Sequence, residues 1–151
     1  LVLDEPTFGV DPVSRDEFWR ILYDIRKQGT TILVSTAYMD EANLCDRVAL
    51  FFDGRIKTIN EPERLKSGYT YPLFRINVKE LNPMKLLFES MKEVHTIQKF
   101  GDSLHISFHE IPNQSRWEDY RIQSKENLIS WEQIEPSIED IFLEMMETDN
   151  D

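Results

Sequence analysis

The sequence contains one cysteine and no long apolar run, and each absence excludes a class of protein. A single thiol, Cys45, rules out a disulfide within the chain and suits a reducing compartment. No apolar stretch is long enough to span a bilayer, and the chain opens on an apolar strand rather than on a signal peptide. Because residue 1 is leucine and not methionine, we expect the 151 residues to be a piece of a longer protein.

Positive charge is also scarce, most of all in the second half. The formal net charge is −11; residues 1–68 hold 12 acidic and 9 basic side chains, whereas residues 69–151 hold 16 and 8. Such acidity argues against nucleic acid or anionic lipid as a direct partner. The histidines, His95, His105 and His109, follow no metal-ligand spacing, so we expect structural roles for them.

Two adjacent carboxylates, Asp4 and Glu5, end the first apolar run, residues 1–3. Such a run is typical of a buried parallel strand whose carboxyl end opens onto a site. Two acids lie together at low cost only when a cation or a proton sits between them. Mg²⁺ is the natural candidate, because an aspartate at a strand end helps to hold it beside phosphates in nucleotide hydrolases. The second carboxylate can then act as general base toward water.

A helix and a second strand follow this acidic pair. Asp11 is suited to cap the helix, Pro12 to open it and Gly29 to end it. The β-branched run 30–36 predicts the next buried strand, which makes a βαβ unit with parallel strands. The helix presents an apolar stripe that we expect to be buried: Phe18, Ile21, Leu22 and Ile25.

The segment Asp4-Glu5-Pro6-Thr7, followed by Gly9-Val10-Asp11-Pro12, resembles the Walker B motif and D-loop of ATP-binding cassette (ABC) transporter ATPases. Further on, Ser35-Thr36 and Tyr38-Met39-Asp40-Glu41-Ala42 match the family's switch region on either side of residue 37. The resemblance implies an ATP site in which Asp4 supports Mg²⁺ and Glu5 is the catalytic carboxylate. It also implies that Asp11 lies in a loop crossing the interface of an ATPase dimer.

Two parts of that family's site are missing. Ala37 occupies the position of the switch histidine, and losing one positioned polar group commonly costs about 10²–10³ in rate. An engineered substitution, a naturally degenerate half of an asymmetric pair, and replacement of the histidine by another group all remain open. The phosphate loop, Gly-x-x-x-x-Gly-Lys-Ser/Thr, is absent from these residues, as are the glutamine loop and the family signature. We therefore expect ATP hydrolysis from the parent protein and poor ATP binding by this chain alone.

The composition changes near Gly68, which predicts two units. Residues 1–68 are expected to be the C-terminal part of an α/β, P-loop NTPase (RecA-like) core, and residues 69–151 an accessory or regulatory α+β domain. In the second unit the patterns run strand, helix, strand, strand, an ambiguous stretch, strand and helix, which is a ferredoxin-like order. In its last strand, alternation puts Leu128 and Trp131 on opposite faces, and the last helix is expected to pack its apolar stripe on its own sheet.

Two short runs, 61–65 and 136–143, resemble the export branch of the ABC ATPases. The resemblance implies an ATP-binding subunit that couples Mg·ATP hydrolysis to a membrane permease, working with a second ATPase subunit on the cytoplasmic face of the membrane. The alternative is a non-catalytic regulatory or dimerisation module with a degenerate ATPase remnant. Because the sheet would lack its upstream strands, we also expect the chain to associate with itself.

Overall fold

The first strand, helix and second strand form a parallel unit. In the computed structural model, which describes residues 1–148, β1 (Val2–Asp4) pairs in parallel with β2 (Leu33–Ser35), and α1 (Pro12–Lys27) connects them. Asp11 caps α1 as predicted, and Gly29 follows its end with a φ of 91°, a conformation that favours glycine. Because the strands are parallel, their carboxyl ends lie at the same edge of the sheet.

These two strands are far more exposed than their apolar sequence predicts. Val2 is 75% exposed and Leu33 is 65% exposed, and Ile21 of the expected buried stripe also faces solvent. Leu22 is the one fully buried side chain of α1. The prediction of a buried strand pair is wrong for residues 1–148, because a two-stranded sheet beside one helix leaves these side chains uncovered.

An antiparallel hairpin completes the first half. Its turn is Asp53-Gly54, with φ values of 50° and 71°, the type I′ conformation that matches the twist of the flanking strands. The elements here are a 3₁₀ helix (Glu41–Leu44), β3 (Val48–Phe52), β4 (Arg55–Asn60) and α2 (Pro62–Ser67).

The second half contains a four-stranded antiparallel sheet and three helices. Its elements are β5 (Leu73–Val78), α3 (Leu81–Glu89), β6 (Val94–Phe100), β7 (Ser103–Phe108), α4 (Gln114–Gln123), β8 (Leu128–Ile134) and α5 (Ile138–Thr148). The strands lie in the order β6-β7-β5-β8. The segment with the ambiguous pattern forms α4, which is capped by Asn113; its side chain accepts a hydrogen bond of 3.0 Å from the Arg116 N–H.

One face of this sheet carries the larger hydrophobic core. Phe74, Ile76 and Val78 on β5 point inward in alternation, and helices α3 and α4 cover them with large side chains. The most buried members are Ile76, Met84, Phe88, Leu104, Ile106, Phe108 and Tyr120. Aromatic rings are frequent in this core. Trp131 of β8 stacks on Trp117 of α4 with 4.7 Å between the ring centroids, so that β8 is packed against the core.

The last strand corrects one prediction. A bulge shifts the register so that Asn77 pairs with Ser130 while Val78 pairs with Leu128, which leaves Ile129 as the extra residue. Because Trp131 pairs with Ile76, both Leu128 and Trp131 lie on the core face, whereas simple alternation puts them on opposite faces. Ile129 is turned out to solvent.

Helix α5 joins the two halves, and its apolar stripe does not pack on its own sheet as expected. Its apolar side chains, including Ile138 and Ile141, form a second core with Ala42, Leu50 and Leu65 of the first half. Its opposite, polar side lies on the second face of the four-stranded sheet. The contacts there are His105–Asp140 at 2.7 Å, His95–Glu144 at 3.0 Å and Gln98–Glu147 at 2.7 Å.

Candidate functional site

The parallel pairing of β1 and β2 builds the candidate site from the strand ends. Asp4 is paired in register with Ser35, and the Ser35 hydroxyl donates a short hydrogen bond to Asp4 Oδ1. Both residues are exposed, so that their oxygens are accessible to solvent and to a ligand. The contact follows from the register, since residues paired in a sheet point to the same face.

Glu5 leaves the strand in an unusual conformation. Its φ of 44° lies in the left-handed region, which costs a non-glycine residue roughly 1–3 kcal/mol. The backbone is held there because the Glu5 N–H donates to the Ser35 carbonyl at 3.0 Å and to the Ser35 hydroxyl at 3.1 Å. This conformation interrupts the strand's alternation immediately after Asp4.

Ala37 contacts Glu5 through its backbone. The Ala37 N–H donates to Glu5 Oε2 at 3.2 Å, while the methyl side chain offers no donor. The next N–H, that of Tyr38, donates to the Thr36 hydroxyl at 3.1 Å and fixes the turn that aims residue 37. Asp4, Glu5 and Ala37, three residues that the sequence selects, are therefore brought together at one edge of the sheet.

Asp11 is engaged elsewhere. Its side chain accepts hydrogen bonds from the N–H groups of Val13 and Ser14, at 3.0 and 3.1 Å, at the start of α1. The side-chain and backbone hydrogen bonds with Ser14 lower the pKa of this exposed carboxyl. The loop before it is anchored by Thr7, which is fully buried and accepts a hydrogen bond from the Val10 N–H through its carbonyl. Asp11 thus has the role of a helix cap in this chain.

Two polar residues at the site are not selected as site residues by the sequence. Ser35 is the direct partner of Asp4, and only the strand register reveals this. Arg15, one turn into α1, reaches across to Tyr38, with its guanidinium carbon 4.6 Å from the ring centroid. From the sequence, the position of Arg15 four residues after the helix cap gives little indication of this contact, because Tyr38 lies 23 positions further along the chain.

The oxygens at the strand ends have the chemistry that Mg²⁺ prefers. No group of three or more His, Cys, Asp or Glu side chains suited to a metal ion occurs within residues 1–148. Mg²⁺, however, is commonly bound by one or two carboxylates together with water and substrate phosphates. The hard donors Asp4 and Glu5, exposed beside Ser35, fit that mode of binding.

Comparison with known proteins decides the family. The chain is 45% identical over 67 residues to the probable multidrug ABC transporter ATP-binding protein YbhF of Escherichia coli (strain K12), an alignment that covers 44% of this chain and 12% of the relative. It is 30% identical over 165 aligned positions to ABC transporter A family member 7 of Arabidopsis thaliana, covering 95% of this chain and 16% of the relative. The chain belongs to the ABC transporter ATP-binding proteins.

A third relative supports this assignment. The daunorubicin/doxorubicin resistance ATP-binding protein DrrA of Streptomyces peucetius is 40% identical over 81 residues, covering 53% of this chain and 24% of the relative. No protein-family model matches the chain. These comparisons confirm the resemblance drawn from the Walker B segment. The Arabidopsis alignment also covers residues 69–135, where the sequence contains no motif that resembles the family.

The chain spans a small part of its relatives, about an eighth of the length of the E. coli protein. Within residues 1–148, no helix has the length and apolar character needed to cross a bilayer.

Proposed function

We propose that this chain is the C-terminal part of the ATP-binding subunit of an ABC exporter. The observation that carries the proposal is the convergence of Asp4, Glu5 and the residue-37 backbone at the ends of two parallel strands. In the proposed site, ATP and Mg²⁺ bind where these strand ends open, and Asp4 is the metal-supporting carboxylate. The homology to ATP-binding proteins supports the same ligand.

The proposed reaction is transfer of the terminal phosphoryl group of ATP to water. Glu5 accepts the proton of the attacking water, a role for which its exposed carboxylate is accessible. Bound Mg²⁺ supplies charge neutralisation at the phosphates. Asp4 is held in orientation by the Ser35 hydroxyl, and Glu5 is held by the Ala37 N–H. The phosphate loop belongs to segments of the parent protein that this chain does not contain.

The proposed domain organisation is an ATPase part at residues 1–68 and an accessory α+β domain at residues 69–151. The βαββαβ element order and the strand order β6-β7-β5-β8 support a ferredoxin-like assignment for the second unit. The parallel β1–α1–β2 unit supports a P-loop NTPase assignment for the first. Separate buried clusters also support the division, although α5 contributes to the first unit's core.

The proposed partners are a second ATPase subunit, which the Asp11 loop would face, and a transmembrane permease. This places the protein on the cytoplasmic face of the membrane, attached through that permease. The names of the relatives refer to ATP binding and to transporters, and they do not favour the alternative of a non-catalytic module.

A graft tests the proposal. Residues 1–68 replace the corresponding segment of the E. coli relative, and Mg²⁺-dependent ATP turnover is measured beside binding of a fluorescent ATP analogue. We expect the graft to bind the analogue and to turn over ATP slowly, the Glu5→Gln variant to bind without turnover, and the isolated 151-residue chain not to bind. Equal turnover by the graft and its Glu5→Gln variant would refute Glu5 as base, and micromolar binding by the isolated chain would refute the dependence on a phosphate loop.

A further inference from the structure

Glu41 is an acidic side chain buried without a hydrogen bond. It is 2% exposed, and neither of its carboxylate oxygens has a hydrogen-bond partner within residues 1–148. Removing a carboxylate from water is costly unless a countercharge lies close. The cation beside it is Arg15, whose Nε lies 4.0 Å from Glu41 Oε1. The residue belongs to the segment that follows Ala37, yet the proposed chemistry gives it no role.

Arg15 connects three parts of the site. Its guanidinium lies over the Tyr38 ring at 4.6 Å from the centroid, and its Nη2 is 4.0 Å from Asp40 Oδ2. Its side chain is only 22% exposed, so the positive charge is held largely within the protein. At the other end, the Arg15 N–H donates to the Asp11 carbonyl at 2.9 Å, in the first turn of α1.

These contacts reach Glu5 in a short series. Arg15 packs on Tyr38, Tyr38 is adjacent to Ala37, and the Ala37 N–H donates to the Glu5 carboxylate at 3.2 Å. Because alanine carries no side-chain donor, this backbone N–H is the donor that position 37 offers to Glu5. The direction of the Ala37 N–H is therefore set by the contacts that fix the backbone at residues 36–38.

We propose that Arg15 is a positioning residue, anchored by the buried Glu41 carboxylate, that holds Tyr38 so that the Ala37 N–H meets Glu5. The inference deepens the proposed function, since it concerns how the general base of that site is oriented. It also couples the base to the Asp11 turn, because Arg15 lies in the same first helical turn. Glu41 serves as an electrostatic anchor and does not touch the reacting groups.

The first test measures solvent exchange of individual amide protons by NMR in the 151-residue chain. In Arg15→Met, we expect exchange at Ala37 to accelerate by at least about tenfold, while the sheet amide of Ile76 is unchanged, because only the local hydrogen bond is released. Arg20→Met is the matched control, since Arg20 is exposed on the same helix and forms no ion pair in residues 1–148. Glu5→Ala removes the acceptor and gives the upper limit of the Ala37 rate.

A second variant keeps the test decisive if Arg15→Met does not fold. Replacing both charges, as Arg15→Met with Glu41→Leu, leaves no buried carboxylate unpaired and should fold. The same selective acceleration at Ala37 is expected in it. An unchanged Ala37 rate would overturn the proposal, and so would equal acceleration at Ala37 and Ile76, which indicates a purely structural role.

The graft provides the catalytic readout. There, Arg15→Met should lower kcat about tenfold or more with KM for ATP unchanged, because misplacing the base affects the transition state and not binding. In a Glu5→Gln background, which binds without turnover, Arg15→Met should leave binding of the fluorescent ATP analogue unchanged; weaker binding would overturn the inference. If the graft with Arg15 intact were inactive, the proposed function would fail, whereas the exchange result would still decide whether Arg15 positions residue 37.

Discussion

At the scale of single residues, the geometry of the candidate site depends on three backbone groups: the Glu5 N–H, the Ser35 carbonyl and the Ala37 N–H. Glu5 is held in a left-handed conformation by two hydrogen bonds to Ser35, and its side chain is met by the Ala37 N–H. A carboxylate fixed by a backbone donor keeps its orientation whatever side chain occupies position 37. In the proposed site, alanine at the position of the switch histidine would therefore leave Glu5 oriented.

This distinction predicts the effect of restoring the histidine. In the graft, Ala37→His should raise ATP turnover by about 10²–10³, because it returns one positioned polar group to the site. Binding of the fluorescent ATP analogue should change much less than turnover. Ala37→Ser, which adds a short hydroxyl that cannot span the same distance, is the control. A turnover that is equal in the alanine and histidine forms would show that another group already replaces the imidazole.

At the scale of elements, α5 is the connection between the two halves. Ser137 and Asp140 form a capping box, in which the Ser137 N–H donates to Asp140 Oδ2 at 2.8 Å and the Asp140 N–H donates to the Ser137 hydroxyl at 3.1 Å. Asp140 is also the buried partner of His105. Between the same sheet and helix, burial raises the pKa of Tyr69 to about 12, so the phenol stays neutral. One helix thus depends on apolar packing on one side and buried polar contacts on the other.

The His105–Asp140 pair should contribute strongly to stability. Asp140→Ala should lower the free energy of unfolding by about 1–3 kcal/mol, since it leaves the buried His105 imidazole without its hydrogen-bond partner. The measurement is urea unfolding followed by circular dichroism. The control is Glu132→Ala, which breaks the exposed Arg75–Glu132 pair and should cost about 0.2–1 kcal/mol. Equal losses in the two variants would contradict the importance assigned to the buried pair.

The same pair gives a pH dependence with a defined sign. Burial opposes ionisation of Asp140, but the hydrogen bonds with His105 and Ser137 outweigh it and lower the pKa of the carboxyl. A lowered folded-state pKa means that this contribution is complete above the ordinary aspartate value and is lost as the pH falls below it. Unfolding in urea at a series of acidic pH values should show a steeper loss for the wild-type chain than for Asp140→Asn.

The bulge in β8 makes a second prediction at this scale. Leu128→Ala should lower the free energy of unfolding by about 2–5 kcal/mol, because the bulge puts Leu128 opposite Val78 on the core face, where it is buried. Ile129→Thr, at the extra residue of the bulge, should be close to neutral because the position faces solvent. Thermal unfolding of both variants tests this; equal stability of the two variants would contradict this register.

At the scale of the whole molecule, the first half exposes apolar surface that the second half does not cover. Val2 and Leu33 are paired on the same face of the β1–β2 sheet, and both are largely exposed. An exposed apolar face on a short sheet favours pairing with another copy. The polar, acidic surface of residues 69–151 opposes such contacts elsewhere.

We expect the chain to self-associate through the β1–β2 face. Sedimentation velocity should show a larger mean mass as concentration rises, and Val2→Thr with Leu33→Thr should shift the distribution toward monomer, since these changes remove apolar surface. Ile129→Thr, at another exposed apolar residue on the other sheet, is the control and should have no effect. A clean monomer at high concentration would refute this prediction.

Local chemistry by itself determined much of this protein. The Asp11 cap, the Asp53-Gly54 turn, the inward alternation of β5 and the capping box of α5 all follow from neighbouring residues, and each of them is present in the structure. The family was also readable, because the Asp4-Glu5-Pro6-Thr7 segment carries its pattern within a few positions. Local order is predictable in this way since each feature needs only the residues beside it.

Only the tertiary structure decided the contacts between distant segments. The Ser35–Asp4 bond joins residues 31 positions apart, and it depends on a strand register that no local pattern fixes. The exposure of β1 depends on which layers cover it, and the packing of α5 depends on which of two apolar surfaces lies within reach. The bulge at Ile129 reverses the alternation of β8 because pairing with β5 outweighs the simple period of two.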